Sequence, residues 1–313
     1  MLSFLRRKLE NFYEDLLQSE IKKPPKHVAI IQDGNRRYAQ KFGIEREEGH
    51  IEGAKTTERV LHWCKEIGVE ELTLYTFSTE NFDRSGREQK ELFDLIELKL
   101  KQFSEMEEEY SRDVRVRVIG QLERVPERIR KVAREIERDT RGNTKFKLNI
   151  ALAYGGRDEM LDAAIEIAEE VASKKISIEE IDGKMIESRL SKQNIRDVDL
   201  IIRTGGDVRT SNFLPWHANG NEAAVFFCTP YWPGFSKIDF LRGIRTYEHR
   251  ESTWQTTRAE RAMAIIKVMK MAEIKDVKKV ANRLRAYIPE KVLEEIVSEV
   301  DQENRGSIKY NEK

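Results

Sequence analysis

The sequence carries no surplus of charge of either sign: 56 Lys and Arg stand against 56 Asp and Glu in 313 residues. A protein that holds nucleic acid by bulk positive charge is therefore not expected. Any affinity for phosphate has to come from a local group of arginines. Cysteine is scarce, and Cys64 and Cys228 lie far apart with no C-x-x-C pair, which argues against a disulfide framework or a zinc site. No apolar run approaches the ~18 residues that a membrane-spanning helix needs. No signal peptide is visible either, so a cytoplasmic location is expected. The histidines His27, His50, His62, His217 and His249 show no metal-ligand spacing. There is no G-x-x-x-x-G-K-[ST] loop, and no G-x-G-x-x-G follows the first apolar run. No two aspartates are adjacent.

What is present is a regular alternation. Short apolar runs fall at 27–31 (HVAII), 71–78 (ELTLYTFS), 114–120 (VRVRVIG), 147–154 (KLNIALAY), 198–204 (VDLIIRT) and 223–229 (AAVFFCT). Several are apolar nearly throughout, as parallel strands covered on both faces are. Between them lie stretches of helical period, one with Val60, Leu61, Cys64 and Ile67, another with Leu92, Leu95, Ile96 and Phe103. The pattern predicts an α/β fold: an open, mostly parallel six-stranded sheet flanked by helices. VRVRVIG alternates, so one of its faces is expected to be wetter or to line a cavity.

Two helical extensions flank a core domain over 25–254. In the first, residues 1–24, Leu2, Leu5, Leu9, Phe12 and Leu16 recur at steps of three and four beside Arg6, Arg7 and Lys8. This segment suits a helix docked on the body or on a partner, or one that touches a membrane surface peripherally. The second, 255–313, reads as two helices around Ala262, Ile265, Ile266 and Met269, then Val292, Leu293, Ile296 and Val297.

In open α/β sheets ligands bind beyond the carboxyl ends of the strands, and the polar clusters fall there. The first run leads into QDGNRRYAQKFG. Gly34 permits a tight turn, the helix after it offers free N–H groups, and Arg36 and Arg37 supply guanidinium forks for phosphate oxygens. Asp33 would repel a diphosphate unless a divalent cation, most simply Mg²⁺, lay between them. Taken alone, the loop is equally well an ordinary turn with surface arginines. The second cluster, Ser78-Thr79-Glu80-Asn81-Phe82-Asp83-Arg84, and the third, Arg203 to Phe213 with paired glycines, make accident unlikely as the explanation. A fourth, GGRDE, follows the run at 147–154. Glu222 before the last run is either a solvated loop charge or a second carboxylate of a metal site.

In order, HVAIIQDGNRRYAQ, EREEGHIEGA, LTLYTFSTENF with Arg84, LNIALAYGGRDE, DLIIRTGGDVRTSNFLPW and WPGF resemble the signatures of the cis-prenyltransferases, over roughly residues 25–250. The resemblance implies a single α/β domain with an apolar tunnel beside the sheet, and a homodimer. It implies repeated addition of isopentenyl diphosphate to an allylic prenyl diphosphate, geranylgeranyl diphosphate or else farnesyl diphosphate. The product would be a long-chain tritrans,polycis-polyprenyl (undecaprenyl-type) diphosphate, precursor of a glycosyl carrier lipid, or else, from farnesyl diphosphate, a short-chain cis-prenyl diphosphate. The absence of adjacent aspartates separates the chain from the all-helical trans-prenyl synthases. Carried over by motif, Asp33 and Glu222 hold magnesium. Gly34, Asn35, Arg36, Arg37, Tyr38, Arg46 and His50 bind the allylic diphosphate, and Arg203, Arg209, Thr210 and Ser211 bind isopentenyl diphosphate. Ser78, Thr79, Glu80, Asn81, Phe82 and Arg84 form the loop between them, with Asp33 and Asn81 as the catalytic residues. Gln32 stands where the family usually has Met, and Asp207 where Glu is common. Arg250-Glu251-Ser252 replaces the family's Arg-x-Gly, which leaves room for a heteromeric partner; a non-catalytic partner of the same fold should itself lack these polar residues.

Overall fold

The computed structural model of the chain describes residues 2–105, 113–190, 195–218 and 223–253. Glu222 and the extension expected over 255–313 lie outside them. The chain divides into two units, Met1–Glu248 and His249–Lys313. The elements that follow belong to the first.

Six strands form one sheet: β1 (His27–Ile31), β2 (Glu71–Ser78), β3 (Val114–Ile119), β4 (Phe146–Tyr154), β5 (Leu200–Arg203) and β6 (Ala224–Phe227). Their order is β3-β4-β2-β1-β5-β6, and every pairing among the described residues is parallel. The helices are α1 (Leu2–Glu20), α2 (Asn35–Phe42), α3 (Arg46–Ile67), α4 (Gly86–Glu105), α5 (Glu127–Asp139), α6 (Gly156–Ala172) and α7 (Gly183–Leu190). An eighth among the described residues, α8, covers 237–248 in this unit.

The apolar runs become strands because both of their faces are covered. Side chains alternate along a strand, so Val28 and Ile30 enter one buried cluster, with Val60, Leu61 and Ile96 of α3 and α4. Ala29 and Ile31 enter a second cluster, with Tyr75, Ile201 and Phe213. The expectation for the alternating run 114–120 is met in part. β3 is an edge strand whose Val116 lines a cavity, and Arg115 is half-buried, but Arg117 is buried too.

α1 docks on the body by a different face from the one its apolar spacing suggests. Leu17 is buried, Tyr13 lies under the Arg242 guanidinium at 5.4 Å, and Glu14 pairs with Lys237 at 3.0 Å. Leu9, Phe12 and Leu16 remain exposed at 62%, 67% and 43%. Leu17 and these polar contacts thus hold the helix, and the part of the apolar stripe over Leu9, Phe12 and Leu16 faces outward. Among the described residues, no helix is long and apolar enough to cross a membrane.

The register positions the site. Ile31 is opposite both Tyr75 of β2 and Arg203 of β5, so the chain leaves three neighbouring strands at one edge. β1 is where the strand order turns, with β2 on one side and β5 on the other. A crevice is expected at such a point.

Candidate active site

Asp33 occupies that switch point, two residues beyond β1. Its Oδ1 accepts from Arg37 Nη2 at 3.0 Å and its Oδ2 from Arg203 Nη2 at 2.7 Å. The turn that aims it is held by Thr204, whose hydroxyl donates to the Asp33 carbonyl at 2.7 Å, and by the Trp232 amide, which donates to the same oxygen at 3.0 Å. Gly34 adopts φ 111°, a left-handed conformation that costs L-residues strain. A Cβ there would also lie 2.8 Å from the Tyr231 ring. Gly34 is also the N-cap of α2 and provides no capping side chain, so the first N–H groups of α2 open toward the crevice.

Arg203 is 3% exposed and gathers the β5 loop. Besides Asp33 it donates to Ser211 Oγ at 2.5 Å, to the Arg209 carbonyl at 2.7 Å and to Asp207 at 3.0 Å. Asp207 also takes Arg209 at 3.2 Å and faces Arg37 at 3.8 Å. Ser211, Asn212 and Leu214 all have positive φ, a strained run that holds Ser211 against Arg203.

A second arginine group forms on the other side of Asp33. Glu88, 5% exposed in the first turn of α4, faces Arg84 at 2.9 Å, Arg36 at 3.8 Å and Arg46 at 4.0 Å. His50 lies beside it. Burial, together with Arg84 and Arg36, lowers its pKa to about 4 against the opposing pull of Glu88, so the imidazole is neutral at physiological pH. The unfolded chain binds a proton near pH 6.5 and the folded one does not. This contribution to stability is thus complete above pH 6.5 and is lost as the pH falls toward 4. Urea unfolding should show His50→Asn losing less stability than the parent between pH 7.5 and pH 5; equal losses would refute this.

One open cleft of about 1180 Å³ joins the two groups. Asp33, Gly34, Asn35, Arg36, Arg37, Arg46, His50, Ser78, Glu80, Asn81, Arg84, Arg209 and Ser211 all line it. Other expected site residues lie off its wall, among them Arg203, which stands behind it and is bound to Arg209 and Ser211. Tyr38 packs on Phe42 with ring centres 4.5 Å apart, and Phe82 sits in a cluster with Phe77 and Phe93, under Arg124. Thr79 stands near Gly155, and the Thr210 carbonyl receives the Phe213 amide. Asn81 serves its own turn: Ser78 and Asn81 form a reciprocal capping box, with the Ser78 amide donating to Asn81 Oδ1 at 3.2 Å. The GGRDE cluster differs from the first loop, because Asn212 takes up the N–H groups of Gly156 and Arg157 and closes the start of α6. Arg157 still reaches the cleft.

Beyond the cleft, between α3, α4 and the sheet, lies an apolar cavity of about 180 Å³. Gln32, Asn35, His50, Thr76 and Leu92 line both spaces, so they form one path. Asn35 Oδ1, His50 Nε2 and Arg203 Nε are buried without a hydrogen-bond partner in the protein. Buried polar atoms are normally paired; five others among the described residues lack a hydrogen-bond partner elsewhere, but Asn35 Oδ1 and His50 Nε2 stand on the cleft, where a bound polar group could satisfy them. Asn35 is held there by close packing on α3, where a Cβ at Gly53 would fall 2.2 Å from Asn35 Oδ1 and 2.9 Å from Trp232. Gly53→Ala should lower the melting temperature and raise the KM for a prenyl diphosphate by about tenfold, as a site displaced by a fraction of an ångström does. A KM unchanged in steady-state assays would sink this expectation.

Sequence reading passed over Glu88 and Tyr231, whose ring lies 5.4 Å from the Arg37 guanidinium, and gave Asn212, within the third cluster, no role of its own. The one legible trace of Glu88 is its spacing of four from Arg84, the distance of facing residues on a helix.

Among the described residues no three metal-ligating side chains cluster. Asp33 nonetheless suits a diphosphate-bound cation, since a small hard cation keeps most of its ligands from phosphate and water and takes one or two protein carboxylates.

The chain resembles known proteins over most of its length. A family model described as "Putative undecaprenyl diphosphate synthase" matches residues 31–255. A tritrans,polycis-undecaprenyl-diphosphate synthase (geranylgeranyl-diphosphate specific) of Haloarcula marismortui is 52% identical over 92% of this chain and 95% of its own. The protein of the same name from Halobacterium salinarum is 54% identical over 89% and 92%. The crystal structure of lavandulyl diphosphate synthase from Lavandula x intermedia, in complex with dimethylallyl diphosphate, matches with TM-score 0.68 and 29% identity, over 72% of this chain and 95% of that one. The chain belongs to the undecaprenyl diphosphate synthase family of cis-prenyltransferases.

Proposed function

We propose that the chain extends geranylgeranyl diphosphate with isopentenyl diphosphate to a tritrans,polycis-undecaprenyl diphosphate, the activity named for its archaeal relatives. The observation that carries this reading is the continuity of a cleft bearing two arginine groups with an apolar cavity. Such a path suits a diphosphate head and a prenyl tail. We read the α2 N-terminus with Arg36, Arg46, Arg84 and His50 as the allylic site, and Arg203, Arg209 and Ser211 as the isopentenyl site. Asp33 would hold Mg²⁺ together with diphosphate oxygens; when bound, the ion neutralises charge on the leaving diphosphate.

The chemistry asks three things of this chain. As the allylic C–O bond breaks, negative charge grows on the departing oxygens, and preorganised guanidinium and N–H donors stabilise it. A carbon–carbon bond forms to the double bond of isopentenyl diphosphate, which the β5 loop holds close to the allylic carbon. A proton then leaves that unit, to water or diphosphate. The Asn81 amide is too weak a base to take it, so its part is to orient the group that does. Asp33 now binds Arg37 and Arg203, and substrates exchange these contacts for phosphate oxygens around the same side chains.

The test incubates the purified protein with Mg²⁺, labelled isopentenyl diphosphate and either geranylgeranyl or farnesyl diphosphate, and sizes the products. Undecaprenyl-length material from geranylgeranyl diphosphate is expected. Preference for farnesyl diphosphate would correct the primer. No product from either would favour a heteromeric enzyme, a reading that Ser252 in Arg250-Glu251-Ser252 keeps open against a self-sufficient homodimer. The exposed stripe of α1 supports peripheral contact with the membrane that receives the product.

A further inference from the structure

The apolar cavity is too small for the product it would serve. Counted as room for the centres of water-sized groups, at about 10–15 Å³ per group, one five-carbon unit takes roughly 50–75 Å³. A cavity of about 180 Å³ therefore holds about three units, far fewer than the tail of an undecaprenyl product has. One wall has to give way as the chain grows.

The sheet wall does not move easily, since β2, β3 and β4 are paired along their length. α4 is tied to α5 by Arg128, which binds Asp94 and Glu97. The seam between α3 and α4 is less secured. Among the described residues two ion pairs cross it: Arg46–Glu88 at the mouth, at 4.0 Å, and Lys99–Glu58 further along, at 2.9 Å. Lys99 and Glu58 both line the apolar cavity, with side chains 32% and 45% exposed. They stand in the wall itself, half in water and half against the path of the tail. A prenyl tail that widens the seam has to strip water from the two charges, which costs free energy that an apolar wall would not, while parting a half-exposed pair adds little.

We propose that the Lys99–Glu58 ion pair latches the α3–α4 seam and determines how far the prenyl tail grows before elongation stops. This rests on the elongation reading above. The pair takes no part in breaking the allylic bond, so it acts on product length and leaves the first condensation alone.

The experiment compares the full-length protein with Glu58→Gln, Lys99→Gln and the charge swap Glu58→Lys/Lys99→Glu. Each is given Mg²⁺, geranylgeranyl diphosphate and saturating isopentenyl diphosphate, and products are sized by reverse-phase chromatography. Both single variants should lengthen the main product by about two isoprene units or more, with the first-condensation rate and the primer KM within about twofold of the parent. The swap restores an attractive pair across the same seam and should return the product to the parental length. Unchanged product length in active single variants would overturn the latch alone. So would a swap variant that behaves like the single ones. A parent chain that condenses nothing with either primer would overturn the elongation reading and the latch with it.

Discussion

Replacing Asp33 with Ala should reduce condensation by at least about 10³-fold and leave the chain folded. Asp33 is on a strand-end loop with its side chain 28% exposed, and no apolar packing depends on it. Its loss does not orphan Arg203, which keeps Asp207, Ser211 and the Arg209 carbonyl. What disappears is the carboxylate that joins Arg37 to Arg203, the place where a diphosphate-bound cation can be held. Asp33→Asn separates charge from shape: it fits the same space and should be almost as inactive. Single-turnover condensation measures the loss, and far-UV circular dichroism with a thermal melt checks the fold. A rate near the parental one in either variant would refute the part given to Asp33.

Arg203→Ala should damage stability and binding together. The side chain is 3% exposed and stands between two carboxylates, Asp33 at 2.7 Å and Asp207 at 3.0 Å. Removing it takes from each carboxylate its most buried partner and leaves Asp33 to Arg37 and Asp207 to Arg209, at a cost of about 2 kcal/mol. The strained Ser211 turn also loses its anchor. The KM for isopentenyl diphosphate should rise about 100-fold, in line with the loss of a charged hydrogen-bonded partner. Arg203→Lys is the informative companion. It keeps the charge but lacks the planar fork that reaches four acceptors, so stability should recover more than binding. Urea unfolding and initial rates against isopentenyl diphosphate measure the two effects. Parental values for both in Arg203→Ala would show that Arg203 belongs to neither.

Much of the fold was legible because its signals are local. Runs such as HVAII and VDLIIRT are apolar at consecutive positions, which a strand covered on both faces requires and one with a wet face does not. The parallel arrangement followed from the helices between them. The N-terminal helix shows the limit of such reading. Its apolar spacing marks Leu9, Phe12 and Leu16 as the docking face, yet Leu17 and the partners Glu14, Tyr13 and Gln18 dock instead. Periodicity tells which residues share a face. It does not tell whether a neighbour with matching charges offers a better contact on another.

The site divides in the same way. Asp33, Arg36, Arg37, Arg203 and Arg209 were readable from residue type and from their place after apolar runs, since ligands gather at the carboxyl ends of parallel strands. Two glycine-bearing loops with forked cations on one sheet edge already implied an anionic ligand. The sequence alone could not show that Asp33 bridges Arg37 and Arg203, that Glu88 gathers three arginines from separate segments, or that Asn212 closes the start of α6. Each depends on residues far apart in the chain. Only the strand order β2-β1-β5, with Ile31 opposite both Tyr75 and Arg203, brings them within reach. The cavity between α3 and α4 is likewise a product of packing: apolar residues at helical spacing predict a buried face, and the gap they leave depends on how two helices lean on one sheet.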